Sequence, residues 1–125
     1  MIRDVTATEV EGVIPGSKGK RYVYNIVSKE ELNGHGRLYA RIVLPPGSSV
    51  GWHQHFRYIE PYYVLKGEAD YFVGDTLDGE RTHYHVHAGQ VCLMGAGQCH
   101  SIENNSSEDL ELMALVYNEP GYDNR

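Results

Sequence analysis

The chain has 125 residues, 41% of them hydrophobic and 22% charged, and eleven basic against seventeen acidic side chains leave a net charge of −6. That length points to one domain, residues 1–125, with a core large enough to stand without disulfide staples. The acidic balance argues against nucleic acid or an anionic membrane as the main partner, and no stretch approaches the ~20 apolar residues of a membrane span.

The N-terminal segment, residues 1–36, reads as strand and turn. Met1-Ile2-Arg3-Asp4-Val5 lacks an apolar core of signal-peptide length. With only Cys92 and Cys99 in the chain, the expectation is a cytoplasmic protein with reduced thiols. A first strand is predicted over Arg21–Val27. Ser28-Lys29-Glu30-Glu31-Leu32 carries the one helical signal, because Ser28 and Glu31 have capping-box spacing, and Asn33-Gly34 can end that turn. His35, in the turn that follows, is expected to be exposed.

Strands then recur at the spacing of an all-β sandwich or barrel: Arg37–Leu44, Tyr62–Leu65, Glu68–Val73, Thr82–His87, Gln90–Met94 and Leu110–Tyr117. In Arg37–Leu44 the apolar residues Leu38, Ala40, Ile42 and Leu44 share one face. Asp78-Gly79 marks a hairpin turn before Thr82–His87. In that strand Thr82, Tyr84 and Val86 share one face, with Tyr84 and Val86 expected to point inward. His83, His85 and His87 share the other, which is read as solvent or a subunit contact in preference to a second metal site. Leu110–Tyr117 is apolar on both faces, as a strand buried on both sides would be.

The chemistry concentrates in two stretches. In Gly47–Gly67, His53 and His55 stand two apart. On a strand that spacing puts both side chains on one side, about 6.6 Å apart along the axis. Glu60 follows closely enough for a bend to bring its carboxylate alongside. In Gly89–Asn104, His100 supplies a third imidazole. Three imidazoles and a carboxylate suit a divalent transition metal, with manganese, iron, zinc, nickel and copper all admissible. Four such ligands leave positions open on an octahedral ion for water or a substrate oxygen.

The two stretches resemble the paired motifs of the cupin superfamily. Gly47, His53, His55, Glu60 and Gly67 fall at every position of the first motif. Gly89, Gly97, His100 and Asn104 match the second, in which Gly95 stands where the family has proline. The resemblance spans 47–104 and implies a double-stranded β-helix, or jelly-roll barrel, in a small single-domain monocupin. It implies His53, His55, Glu60 and His100 as metal ligands, a structural turn role for Asn104, and a homodimer formed through sheet contacts. Gly95 is expected to make a softer loop before His100.

Tyr62 shares parity with Glu60 and is a candidate pocket residue. Arg41 and Arg57 could anchor an anion but read better as surface residues. No second carboxylate or lysine stands near the ligands to act as a general base. The functional expectation is a metal-dependent enzyme acting on a small oxygen-bearing molecule. Iron would favour dioxygenase chemistry, whereas manganese, zinc or nickel would favour isomerase, lyase or decarboxylase chemistry. The alternative is a non-catalytic small-molecule or carbohydrate-binding module with a structural metal.

Overall fold

A computed structural model describes all 125 residues. Eleven strands form two antiparallel sheets: β1 (Ala7–Glu11), β2 (Lys20–Val27), β3 (Gly36–Leu44), β4 (Ser49–Gln54), β5 (Tyr58–Ile59), β6 (Tyr62–Lys66), β7 (Glu68–Gly74), β8 (Thr82–His87), β9 (Val91–Cys92), β10 (Cys99–Glu103) and β11 (Leu110–Asn118). The larger sheet runs β1-β2-β3-β11-β6-β9, with β5 also on β11, and the smaller runs β4-β10-β7-β8. This is the jelly-roll arrangement expected from the motifs. No helix is long and apolar enough to cross a membrane.

Strand alternation builds the core. Leu110 pairs with Leu44, Leu112 with Ile42 and Ala114 with Ala40, so the apolar parity of β3 and of β11 meets on one face. Val64 from β6 and Ile102 from β10 close the same cluster. Burying each such aliphatic side chain stabilises the fold by roughly 1.5–3 kcal/mol. The other face of β11 is only half-covered: Glu111, Met113 and Leu115 are intermediate and Tyr117 is exposed. The expectation of burial on both faces therefore holds for one face within this chain.

Four strands escape the periodicity reading. β1 is exposed along nearly its whole length and carries no apolar stripe. β5 is too short to show a period. β4 and β10 carry glycine, histidine, serine and cysteine at buried positions, so their inward faces look polar in sequence. The predicted Gln90–Met94 strand shrinks to Val91–Cys92. Tyr84 corrects an expectation: it is 53% exposed. β8 is the edge strand of the smaller sheet, and only Val86 reaches the core.

The punctuation is placed as read. The Ser28 amide donates to Glu31 Oε1 at 2.8 Å and the Glu31 amide to Ser28 Oγ at 3.1 Å, a reciprocal cap on a single 3-10 turn. Asn33, at φ 54°, ends that turn. Asn104 is fully buried and donates to the carbonyls of Leu44 and Glu108, each at 2.8 Å, so it ties the loop after β10 to the end of β3. The loop before His100 is better held than a glycine in place of proline suggests. The Gly95 amide donates to Gln98 Oε1 at 2.8 Å, a bond that proline has no N–H to make. Gln98 in turn donates to Asp75 at 3.0 Å.

Candidate metal centre

His53 and His100 are direct partners across the β4–β10 ladder, and their ring centroids lie 4.7 Å apart. His55 stands just past the end of β4. Its amide donates to Gln98 O at 3.1 Å and its carbonyl accepts from Gly97 N at 2.6 Å, so the ladder is carried one step further. Glu60 sits in the bend between β5 and β6, where only 4% of it is exposed. These four are the residues named from the sequence, and the fold brings their donor atoms within 4.8 Å of one another.

The separations suit a single ion. His53 Nε2 is 3.0 Å from His55 Nε2. Glu60 Oε1 is 2.9 Å from His55 Nε2, 3.0 Å from His100 Nε2 and 3.9 Å from His53 Nε2. Two donors about 2.1 Å from one ion and at right angles to each other would stand about 3.0 Å apart. The tautomers suit it as well. His53 Nδ1 lies 2.6 Å from the Gly51 carbonyl, which can only accept, so Nδ1 carries the proton and Nε2 presents a lone pair to the centre. His100 Nδ1 lies 2.8 Å from the Tyr71 hydroxyl, which can accept the Nδ1 proton and leave Nε2 free in the same way. Gly51 has a packing reason to lack a side chain: a Cβ there would run into the Pro15 carbonyl.

The electrostatics are those of a held carboxylate among neutral imidazoles. Burial works to raise the Glu60 carboxyl, but its contacts with His100, His53 and His55 outweigh burial and hold the group well below its ordinary 4.5. Burial lowers His100 below 6.5, opposed by Glu60, and a neutral ring is the form that ligates a metal. Tyr62 is 2% exposed and stacks on His100 with centroids 4.9 Å apart and planes 13° apart. Burial and the Glu60 charge push its phenol well above 10, so it remains a hydrogen-bond donor.

A cavity of about 210 Å³ opens onto the centre, lined by His53, His55, Glu60, Tyr62 and a largely apolar wall. It holds one charged side chain from outside the motifs, Arg21 at the start of β2. Arg21 is 9% exposed, and its charge interacts with Tyr62 and Glu60 while burial lowers its pKa. Its parity with Val23, which lines the same cavity, was the available signal. It is masked by the basic run Lys18-Gly19-Lys20-Arg21, which reads as surface. The arginines weighed from sequence lie elsewhere. Arg41 pairs with Glu111 at 2.7 Å on the outer face and covers the Tyr24 ring. Arg57 is exposed and faces Glu119.

The chain is similar in sequence and in fold to known proteins. Residues 40–116 match the family model of the cupin domain. An oxalate-binding protein of Thermotoga maritima is 40% identical over 101 residues, covering 81% of this chain and 78% of its own. The crystal structure of a predicted oxalate decarboxylase from the same organism superposes with a TM-score of 0.80 at 36% identity, covering 93% of this chain and 95% of that one. The cupin domain of Drosophila melanogaster CENP-C superposes with a TM-score of 0.64 at 14% identity, covering 88% of this chain and 70% of that one, and shares the fold.

Proposed function

The chain belongs to the cupin family, and we propose that it binds one divalent transition-metal ion through His53, His55, Glu60 and His100 and, beside that ion, a small dicarboxylate of the oxalate class. The observation that carries this reading is Arg21, an arginine only 9% exposed that lines the same small cavity as the ligand set. Burying a cation costs free energy unless an anion meets it, and a guanidinium matches a carboxylate with two parallel N–H bonds. A bound ion would supply Lewis-acid attraction for carboxylate oxygens. Arg21 would hold the far end of the ligand, and Tyr62 would donate to one of its oxygens. The cavity volume falls below the usual range of drug-sized pockets, which fits a ligand of a few heavy atoms. The relative named for oxalate binding supports the same class.

Binding, in preference to turnover, is the reading the wall supports. Glu60 is the only carboxylate in the cavity and is engaged by the histidines. No free carboxylate or lysine stands there to move a proton. The similarity to a predicted oxalate decarboxylase favours a second reading, in which the bound dicarboxylate is cleaved. Calorimetric titration of oxalate into metal-loaded protein tests the first, with formate and carbon dioxide release as the test of the second. Absence of oxalate binding by the metal-loaded protein overturns both.

The outer face of the larger sheet supports a homodimer. Tyr24, Arg41, Met113, Tyr63 and Val91 form one cross-strand row, and Tyr63, Leu65 and Val91 are exposed. Exposed apolar rows of this kind mark contact surfaces. Tyr63→Glu is expected to turn a dimer into a monomer by light scattering, and an unmodified chain that runs as a monomer overturns this assignment.

A further inference from the structure

We propose that His83, His85 and Asp70, on the outer face of the β7–β8 hairpin, form a second and separate site for a divalent ion of the zinc, nickel or copper class. The hairpin register sets Asp70 opposite His85, Phe72 opposite His83 and Glu68 opposite His87. His83 and His85 are two apart on β8, so both rings leave the same side of the strand. His83 Nε2 lies 2.7 Å and His85 Nδ1 3.2 Å from the same oxygen, Asp70 Oδ1. Two imidazole nitrogens thus flank one carboxylate oxygen, and the three atoms make a mixed N₂O donor set once the rings turn toward a shared ion. Nitrogen-rich sets of this kind prefer zinc, nickel and copper to magnesium or calcium.

Each donor residue has a neighbour that holds it. Asn105 donates to Asp70 Oδ2 at 2.8 Å and leaves Oδ1 facing the histidines. That bond, against the opposing effect of burial and with help from both imidazoles, brings the Asp70 carboxyl down to about 2. The group is therefore ionised at any working pH. His83 stacks on Phe72 with centroids 4.8 Å apart and planes 15° apart. His85 Nε2 lies 3.4 Å from Glu68 Oε2. A neutral imidazole has one N–H. If Nε2 donates it to Glu68, the Nδ1 lone pair faces Asp70, which is the carboxylate–histidine–metal arrangement. Both ring nitrogens of His85 face carboxylates, and a neutral ring satisfies only one of them. An imidazolium, or a cation between Nδ1 and Oδ1, satisfies both.

Both histidines are about half exposed, so their rings can turn inward onto an ion and water can fill its remaining positions. Bound there, the ion would bridge β7 and β8. β8 pairs with no strand but β7, so this would tie down a free sheet edge. His87 stands outside the set, its Nδ1 facing the Ala88 carbonyl at 3.1 Å.

The test is calorimetric titration of Zn²⁺ into the metal-free 125-residue chain near neutral pH, with amide hydrogen exchange read across Thr82–His87. The unaltered chain is expected to take up a second equivalent, and exchange across β8 is expected to slow as it binds. The double variant His83→Gln/His85→Gln is expected to lose that equivalent and the slowing while retaining the interior one. His53→Gln is expected to lose the interior equivalent and keep the slowing on β8. Glu68→Gln is expected to weaken the surface equivalent by roughly tenfold, as loss of an orienting partner does. The proposal is overturned if the double variant and the unaltered chain take up the same number of ions, or if Zn²⁺ leaves exchange across β8 unchanged.

Discussion

The chain places histidine at alternate positions twice, and the two regions turn out differently. His53 and His55 lie at the end of β4, face His100 across the ladder and close over the buried Glu60. His83, His85 and His87 lie on an edge strand and face solvent, with Asp70 and Glu68 beside them. The same local spacing gives a buried N₃O centre in one place and an exposed N₂O cluster in the other. The difference lies in what the sheet puts behind the strand. β4 belongs to a sheet face that closes on a cavity, whereas the histidine face of β8 has nothing over it. Burial raises the stakes of every polar group, because a partner lost in the interior is not replaced by water.

The comparison can be broken most forcefully at His100. His100→Ala removes a fully buried ring that holds Glu60. It is expected to abolish interior metal uptake and to cost about 3 kcal/mol of stability, the scale of an uncompensated buried pair. Elemental analysis and denaturant melts check both, and normal metal content in this variant would break the four-ligand assignment. Chelation comes next. An ion at a hundred times its Kd stabilises the folded state by about 2.7 kcal/mol, so a chelator should lower Tm by several degrees in the unaltered chain and by less in His100→Ala. Arg21→Met is expected to weaken oxalate binding by roughly tenfold to a hundredfold, the ~1.5–3 kcal/mol of a hydrogen bond to a charged group, with metal uptake unchanged. Equal loss of metal would place Arg21 in the ligand framework instead of beside it.

Acid should act on the two regions with opposite signs. His100 is lowered by burial. Its share of stability is present above 6.5 and is lost as pH falls through its folded value. Glu60 behaves alike around 4.5, because its contacts with the histidines outweigh burial and hold it low. His85 is raised by its hydrogen bonds to Asp70 and Glu68, so its share is present below 6.5 and fades as pH rises through its folded value. Proton NMR of the metal-free chain should therefore show the His100 midpoint below 6.5 and that of His85 above it. Coincident midpoints would erase the distinction. The smallest effect belongs to His83→Gln/His85→Gln, which should leave the midpoint of metal-free unfolding nearly unmoved, as exposed substitutions do.

The cluster of His53, His55, Glu60 and His100 was legible in the sequence because it depends on spacing. His53 and His55 share a strand face by a local rule, and the intervals from Gly47 to Gly67 and from Gly89 to Asn104 carry the cupin resemblance without reference to any contact. The Ser28–Glu31 cap and the alternation of β3 and β11 were legible for the same reason. β4 and β10, which position His53 and His100, were not read as strands, since their buried positions include glycine, serine, histidine and cysteine that only a partner strand makes strand-like. Nor could the sequence show that Arg21 joins the centre from the far end of the chain, that Tyr71 holds His100, or that Tyr84 lies exposed. Each of these follows from which strands pair and which edge stays open, and such long-range pairings leave no local period in the sequence.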